Sequence, residues 1–308
     1  MIYSILFLIL NIVYANIVQY GGELYIDGNN ARNLGMGGYS VSYSIGSNPA
    51  RAMPLSNSKI SLSHKNKYFD LVNINLLSYC FFKEIKGTSY PVYMTVINRQ
   101  ISDIPDTRSA INIDGSINYS AINYFSQKEI GLVIGTGYSK KKINLGFNIK
   151  PFYSSLVEYK SWGISSDIGL LIKKYKNFEL GCWIYNLFSF HYWNTGRREF
   201  FLPTFLASSQ FELNSMKIGI EVGSLLGTNP VIKYRSGFEL FNKEGIFFRG
   251  GFSNEDEINC GIGLNNEYFQ FNYAYVHPIN SNPFKPSHMI DFSVIIKKIV
   301  DLRGKLSP

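Results

Sequence analysis

The chain has 308 residues, is 16% aromatic, and carries 27 glycines and a net charge of +8 that is spread without any basic run. That spread argues against a nucleic-acid-binding stripe. The three cysteines (Cys80, Cys182, Cys260) are odd in number and far apart, which excludes a disulfide framework, and the scattered histidines (His64, His191, His277, His288) show no metal-ligand spacing.

The chain opens with "MIYSILFLILNIVYAN", whose apolar run from Ile5 to Ile12 is too short for a membrane helix. With Val13-Tyr14-Ala15 behind it, the run predicts a cleaved export signal over residues 1–15, although no basic residue precedes it. Residues 16–57 do not alternate. Within them Gly35, Gly37 and Gly38 crowd together, but no strand-forming run precedes them and no Lys-Ser/Thr follows, so a phosphate loop is a poor reading. Glycine instead permits positive φ and close backbone approach in a confined space. Asn48 is a good helix cap and Pro49 a good first helical residue, so Asn48-Pro49-Ala50 predicts a short helix that Pro54 stops. A glycine-rich segment with one short helix, ahead of a barrel, is expected to act as a hatch inside the lumen.

From about residue 58 to 298 the chain alternates with period two. Ile143, Leu145, Phe147 and Ile149 oppose Asn144, Gly146, Asn148 and Lys150, and Ile258, Cys260, Ile262 and Leu264 oppose Asn259, Gly261 and Gly263. Such alternation predicts strands with one apolar and one polar face. The polar face is rich in Gly and Asn, and the apolar face keeps large residues along its length, as in strands of about 9–11 residues that cross a bilayer. Aromatics near segment ends (Tyr138, Tyr153, Tyr159, Trp162, Trp183, Tyr185, Tyr192, Trp193) suit interfacial girdles. Turns are expected at Lys140–Lys142, Asn242–Gly245 and Asn265-Asn266. Irregular loops are expected over 101–116 and 190–203, with 116–124 the weakest strand candidate. The fold class is therefore all-β: a transmembrane outer-membrane β-barrel of about fourteen antiparallel strands, closed so that every backbone group is paired in lipid. Residues 299–308 form a C-terminal tail.

The stretch "ARNLGMGGYSVSYSIGSNPA" (31–50) resembles the N-terminal signature of the PorV/PorQ family of outer-membrane proteins, relatives of the FadL transporters. The resemblance continues, in order, through "DIPDT" (103–107), "YRSGFEL" (234–240), "FFRGGF" (247–252) and "SHMIDFSVII" (287–296). The chain departs from the pattern in carrying Tyr39 after the double glycine and a tail after its last strand. The resemblance implies a fourteen-stranded barrel with a hatch, acting in type IX protein secretion or in uptake of hydrophobic molecules.

Alternation places Lys217, Glu221, Lys233, Arg235, Glu239 and Arg249 on the inward face, with Lys150, Asp167 and Asp291 on other strands. Their mixed signs favour a salt-bridge network that fills the lumen over a ligand-contacting cluster, because unpaired charges in a narrow lumen are costly. No nucleophile elbow or His–carboxylate motif is present, so no catalysis and no cofactor are expected. The predicted partners are outer-membrane lipid and either secretion-machinery proteins or their substrates, bound through the aromatic loop of Tyr192, Trp193, Arg197 and Arg198. The alternative is a FadL-like conduit for a small hydrophobic molecule taken up through the barrel wall. No concentrated apolar patch is evident on the inward faces, which tilts the expectation to secretion.

Overall fold

The computed structural model describes residues 23–26, 28–52, 58–68, 70–112, 114–226, 231–254, 257–279 and 286–296; the expected signal and C-terminal tail lie outside them. Two one-turn helices, α1 (Glu23–Ile26) and α2 (Ala31–Leu34), and a 3₁₀ turn (Pro49–Ala52) precede the strands. The strands are β1 (Lys59–Lys67), β2 (Val72–Ile85), β3 (Thr88–Asp106), β4 (Asn123–Lys140), β5 (Ile143–Leu156), β6 (Tyr159–Tyr175) and β7 (Phe178–Trp193). After the two-residue β8 (Arg198–Glu199) come β9 (Thr204–Leu213), β10 (Met216–Leu225), β11 (Ile232–Phe241), β12 (Ile246–Ser253), β13 (Glu257–Asn265), β14 (Phe269–Pro278) and β15 (Ser287–Ile295).

Every neighbouring pair is antiparallel, β7 passes over β8 to pair with β9, and β15 returns to β1. The wall is thus a closed barrel of fourteen strands, with β8 a short addition to β7. Closure leaves no edge to satisfy. One end of the barrel carries tight turns: two residues each join β2 to β3, β4 to β5, β6 to β7 and β9 to β10. Lys86, Gly87, Lys141 and Asn214 take positive φ there, as such hairpins require. The long connections all lie at the other end.

The exterior follows the alternation. Ile143, Leu145, Phe147 and Ile149 point out and are 39–47% exposed, whereas Asn144, Asn148 and Lys150 between them are buried. Near the long-loop end of β1–β3 the sense inverts: Val72, Ile74 and Leu76 point inward, and Asn75 faces out beside His64, whose Nδ1 lies 2.8 Å from the Asn75 Oδ1. Tyr153, Trp162 and Tyr192 continue the outward row of His64 and Asn75 along β5, β6 and β7, as an interfacial girdle should. Trp183 and Tyr185 are not part of that girdle. They share the inward face with Glu179 and Gly181 and are buried.

Of the loop expected over 101–116, residues 101–106 instead continue β3 against β4; residues 116–122 form no strand, Tyr119–Ala121 is a 3₁₀ turn, and β4 begins at Asn123. The expected loop over 190–203 is shorter than its sequence implied. Phe190 to Trp193 extend β7 in register with Ser161 to Ile164 of β6, so only 194–203 leave the ladder, broken by β8. The cause is a taller wall: β3, β4, β6 and β7 have 19, 18, 17 and 16 residues, against 8 to 10 in β9–β15.

Candidate functional site

The lumen holds residues 23–26 and 28–52, and the inward glycines mark where they pack. The Met36 carbonyl occupies the space that a Cβ on Gly237 would need, the Met36–Gly37 backbone does so at Gly251, and Gly35 abuts Gly261. Gly37 and Gly38 adopt φ of +70° and +79°, and a side chain at Gly37 would collide with the Phe252 backbone. Across the barrel, Pro49 and Ala50 rest on Gly146, and the Asn48 side chain rests on Gly169. Asn48 Oδ1 accepts from Ala50 N at 2.9 Å, while its Nδ2 donates to the Leu170 carbonyl of β6 at 3.1 Å. The capping residue therefore also ties the turn to the wall.

The segment is cross-tied by its own side chains. Asn30 caps α2 by accepting from Asn33 N at 2.8 Å, and Asn33 in turn binds the Ser42 backbone through both its amide atoms at 2.9 Å. Tyr39 takes the place of a small residue by lying on Gly219. Its hydroxyl donates to the Ser209 carbonyl at 3.3 Å and accepts from Arg51 at 3.2 Å, and burial pushes its phenol up to about 12.

Four of the six inward charges come together against this segment. Glu239 accepts from Arg249 at 2.8 Å and from Arg32 at 2.6 and 2.8 Å. Glu221 accepts from Arg235 at 3.2 Å and from Ser40 N at 3.4 Å. Lys217 instead points toward the β9–β10 turn, 3.6 Å from Glu212, and Lys233 is half-buried opposite Gly223. Arg51 pairs with Glu179 on β7, and Asp291 of β15 accepts the Ala31 N–H at 2.6 Å. Arg32 and Arg51 escaped the sequence reading because they lie in the stretch without periodicity; their charge, opposite to that of inward Glu239 and Glu179, was the available signal.

The opposite side of the wall is interrupted. Between β4 and β5 pairing holds at Gly131–Phe152 and Ile134–Ile149 but lapses at Leu132 and Val133 against Lys150 and Pro151. Pro151 has no N–H to give to the ladder. Its carbonyl is taken from inside by the Tyr25 hydroxyl at 2.6 Å. Beside the lapse, Lys150 Nζ lies 2.6 Å from Asp167 and 3.2 Å from Asn186 Oδ1, over the Tyr185 ring. Asn186 takes φ of +54° at a bulge in β7 and donates its N–H to Asp167 at 2.9 Å.

Behind this interruption lies the apolar inward surface that alternation had not revealed. Tyr25, Leu24 and Ile45 of the lumen segment pack with Ile74, Leu76, Ile97, Val133, Trp183, Tyr185 and Leu206 of the wall, and Phe152 joins them. The expectation of a lumen without an apolar patch is overturned. The patch draws single residues from many strands, so no one segment displays it.

Tyr192 and Trp193 belong to β7; Tyr192 opposes Arg198 across the β7–β8 turn, and its ring lies 6.2 Å from Trp162. Arg197 and Arg198 are exposed, Arg197 bonding Glu199 at 2.9 Å. His191 faces the other way, buried between Phe152 and Phe201.

No protein-family model and no curated protein matches the sequence. Solved structures do match the fold. The toluene transporter TbuX of Ralstonia pickettii is 8% identical, with 88% of this chain and 99% of that chain covered at a TM-score of 0.63. The P. putida toluene transporter TodX is 10% identical, with 88% and 99% covered at 0.66. A Pseudomonas aeruginosa FadL homologue is 9% identical, with 87% and 97% covered at 0.51. The chain thus has the fold of FadL-type outer-membrane barrels, apolar without and plied with buried polar contacts within.

Proposed function

We propose that this chain is an outer-membrane channel that admits a small hydrophobic molecule through its wall between β4 and β5, the inner segment serving as a plug. The observation that carries this reading is the lapse in the β4–β5 ladder at Leu132–Val133 and Lys150–Pro151, stoppered by Tyr25 and backed by apolar side chains. A molecule dissolved in the bilayer meets that point without crossing water, and each buried methylene is worth about 0.8 kcal/mol on the way in. The apolar exterior and the likeness to toluene transporters support an outer-membrane location and a hydrocarbon-like cargo, with the short-turn end in the periplasm.

A second reading, contact with secretion-machinery proteins through Tyr192, Trp193, Arg197 and Arg198, draws on the exposed arginines of that turn and on the motif resemblance. The inward apolar surface gives that role no use, and it favours the conduit.

The test is a removable lock. Leu132→Cys and Pro151→Cys, in a chain whose Cys80, Cys182 and Cys260 are serine, can be oxidised across the lapse. Cells bearing the oxidised form should take up radiolabelled toluene no faster than cells lacking the protein, and reduction should restore uptake. Equal uptake by the oxidised and reduced forms would refute passage through this wall.

A further inference from the structure

A second compartment lies on the other side of the inner segment, bounded by β1–β3 and β14–β15, with a volume of about 150 Å³. An apolar cavity of this size admits a benzene ring, so there is room for a solute of several heavy atoms. Its walls are not apolar. Ser63, Ser78, Thr95 and Ser293 present hydroxyls, and three charged side chains line it: Arg32, which is held by Glu239, and Lys59 and Asp291, which stand at different heights. Lys59, at the short-turn start of β1, has no ion-pair or hydrogen-bond partner among the described residues. Asp291 is 5% exposed; its Oδ2 accepts the Ala31 N–H, but its Oδ1 has no partner. The backbone of Lys59 pairs with Ile295 and that of Asp291 with Ser63, four residues apart along β15, or roughly 13 Å between the two Cα levels at about 3.3 Å per residue.

A buried carboxylate oxygen left without a donor is costly, and so is a partly buried ammonium without an anion. The two attract one another across the cavity but make no ion pair, which leaves room for a molecule that carries both charges between them. We propose that this cavity binds a small zwitterion, its ammonium on Asp291 Oδ1 and its acidic group on Lys59, with the serine and threonine hydroxyls along its length. The site adjoins the apolar patch behind β4–β5, sharing Ile45 and Leu76 with it, but its charged groups lie toward β1 and β15 and give the short-turn end of the barrel a polar ligand of its own.

The probes are glycine, 3-aminopropanoate, 4-aminobutanoate and 6-aminohexanoate, titrated calorimetrically into the detergent-solubilised full chain, with acetate and methylammonium as one-ended controls. At least one amino acid should bind saturably, with a clear optimum in chain length, while the controls do not. Lys59→Gln should weaken that binding about tenfold or more, the loss of one charged hydrogen bond. Lys217→Gln, outside the cavity, should leave it unchanged. Asp291→Asn should act like Lys59→Gln; should it fail to fold for want of the Ala31 contact, Thr95→Val, which removes one lining hydroxyl, should still weaken binding severalfold. Absence of saturable binding across the series overturns the site, and so does acetate or methylammonium binding as tightly as the best amino acid. Toluene uptake by Lys59→Gln should match the parent, which separates this site from the wall passage.

Discussion

The two arcs of the barrel are built differently. The short arc, β9–β15 with β1, has strands of 8 to 10 residues, unshifted ladders, and inward glycines and carboxylates that grip the inner segment. The tall arc, β2–β7, has strands of 14 to 19 residues and collects the irregularities: a register shift at Ile101/Ile104 beside Asp103, the β4–β5 lapse, and the bulge at Asn186. Bulges and broken ladders in a closed barrel are kept where a wall must bend or part. Both arcs hold the inner segment, the tall one through Asn48, Arg51 and Tyr25, but on the proposed reading only the tall arc also yields.

The largest expected effect breaks the holding arc. Glu239→Gln leaves Arg249 buried and Arg32 without its carboxylate, and should cost about 3–5 kcal/mol, read as a fall in the urea midpoint of the heat-modifiable folded band. If the midpoint is unmoved, the Arg32–Glu239–Arg249 triad does not anchor the segment. Next comes Gly237→Ala, whose methyl needs the place of the Met36 carbonyl; overpacking of this kind costs about 1–3 kcal/mol. Conductance in a planar bilayer should rise as the segment is pushed from the wall, and unchanged conductance would show that the wall gives way instead.

These residues also show what the sequence made legible. The strands and turns could be read because a lipid-facing wall repeats the same alternation from residue 58 onward. The placement of Trp183 and Tyr185 could not be read from residue type, since girdle and lumen use the same aromatics. Their parity with Glu179 and Gly181 was the usable sign. Val72, Ile74 and Leu76 were hidden by an inversion of the usual rule near the membrane surface. The β4–β5 lapse left one mark, Pro151 inside a strand, but its stopper Tyr25 lies 126 positions away in a stretch without periodicity. The inward glycines were visible as a composition, and their purpose became clear only with the backbone that fills them.

Smaller effects sharpen the contrast on the yielding side. Tyr25→Phe removes one hydrogen bond to the Pro151 carbonyl, a loss of about 0.5–1.5 kcal/mol, and should raise toluene uptake while shifting the urea midpoint only slightly. Lower uptake would mean that Tyr25 guides cargo and does not stopper the wall. Smallest of all, Arg197→Ala should change stability by less than about 0.5 kcal/mol, because the guanidinium is exposed although Glu199 is buried. A larger fall in the urea midpoint would make the β7–β8 turn part of the barrel's support.

The division between a holding and a yielding arc is tested most directly by amide hydrogen exchange on the folded protein in lipid nanodiscs. Peptides covering 131–134 and 149–152 should exchange markedly faster than those covering 217–223 and 235–240, although all lie within strands. Equal protection of the two sets, or faster exchange in β10 and β11, would contradict it.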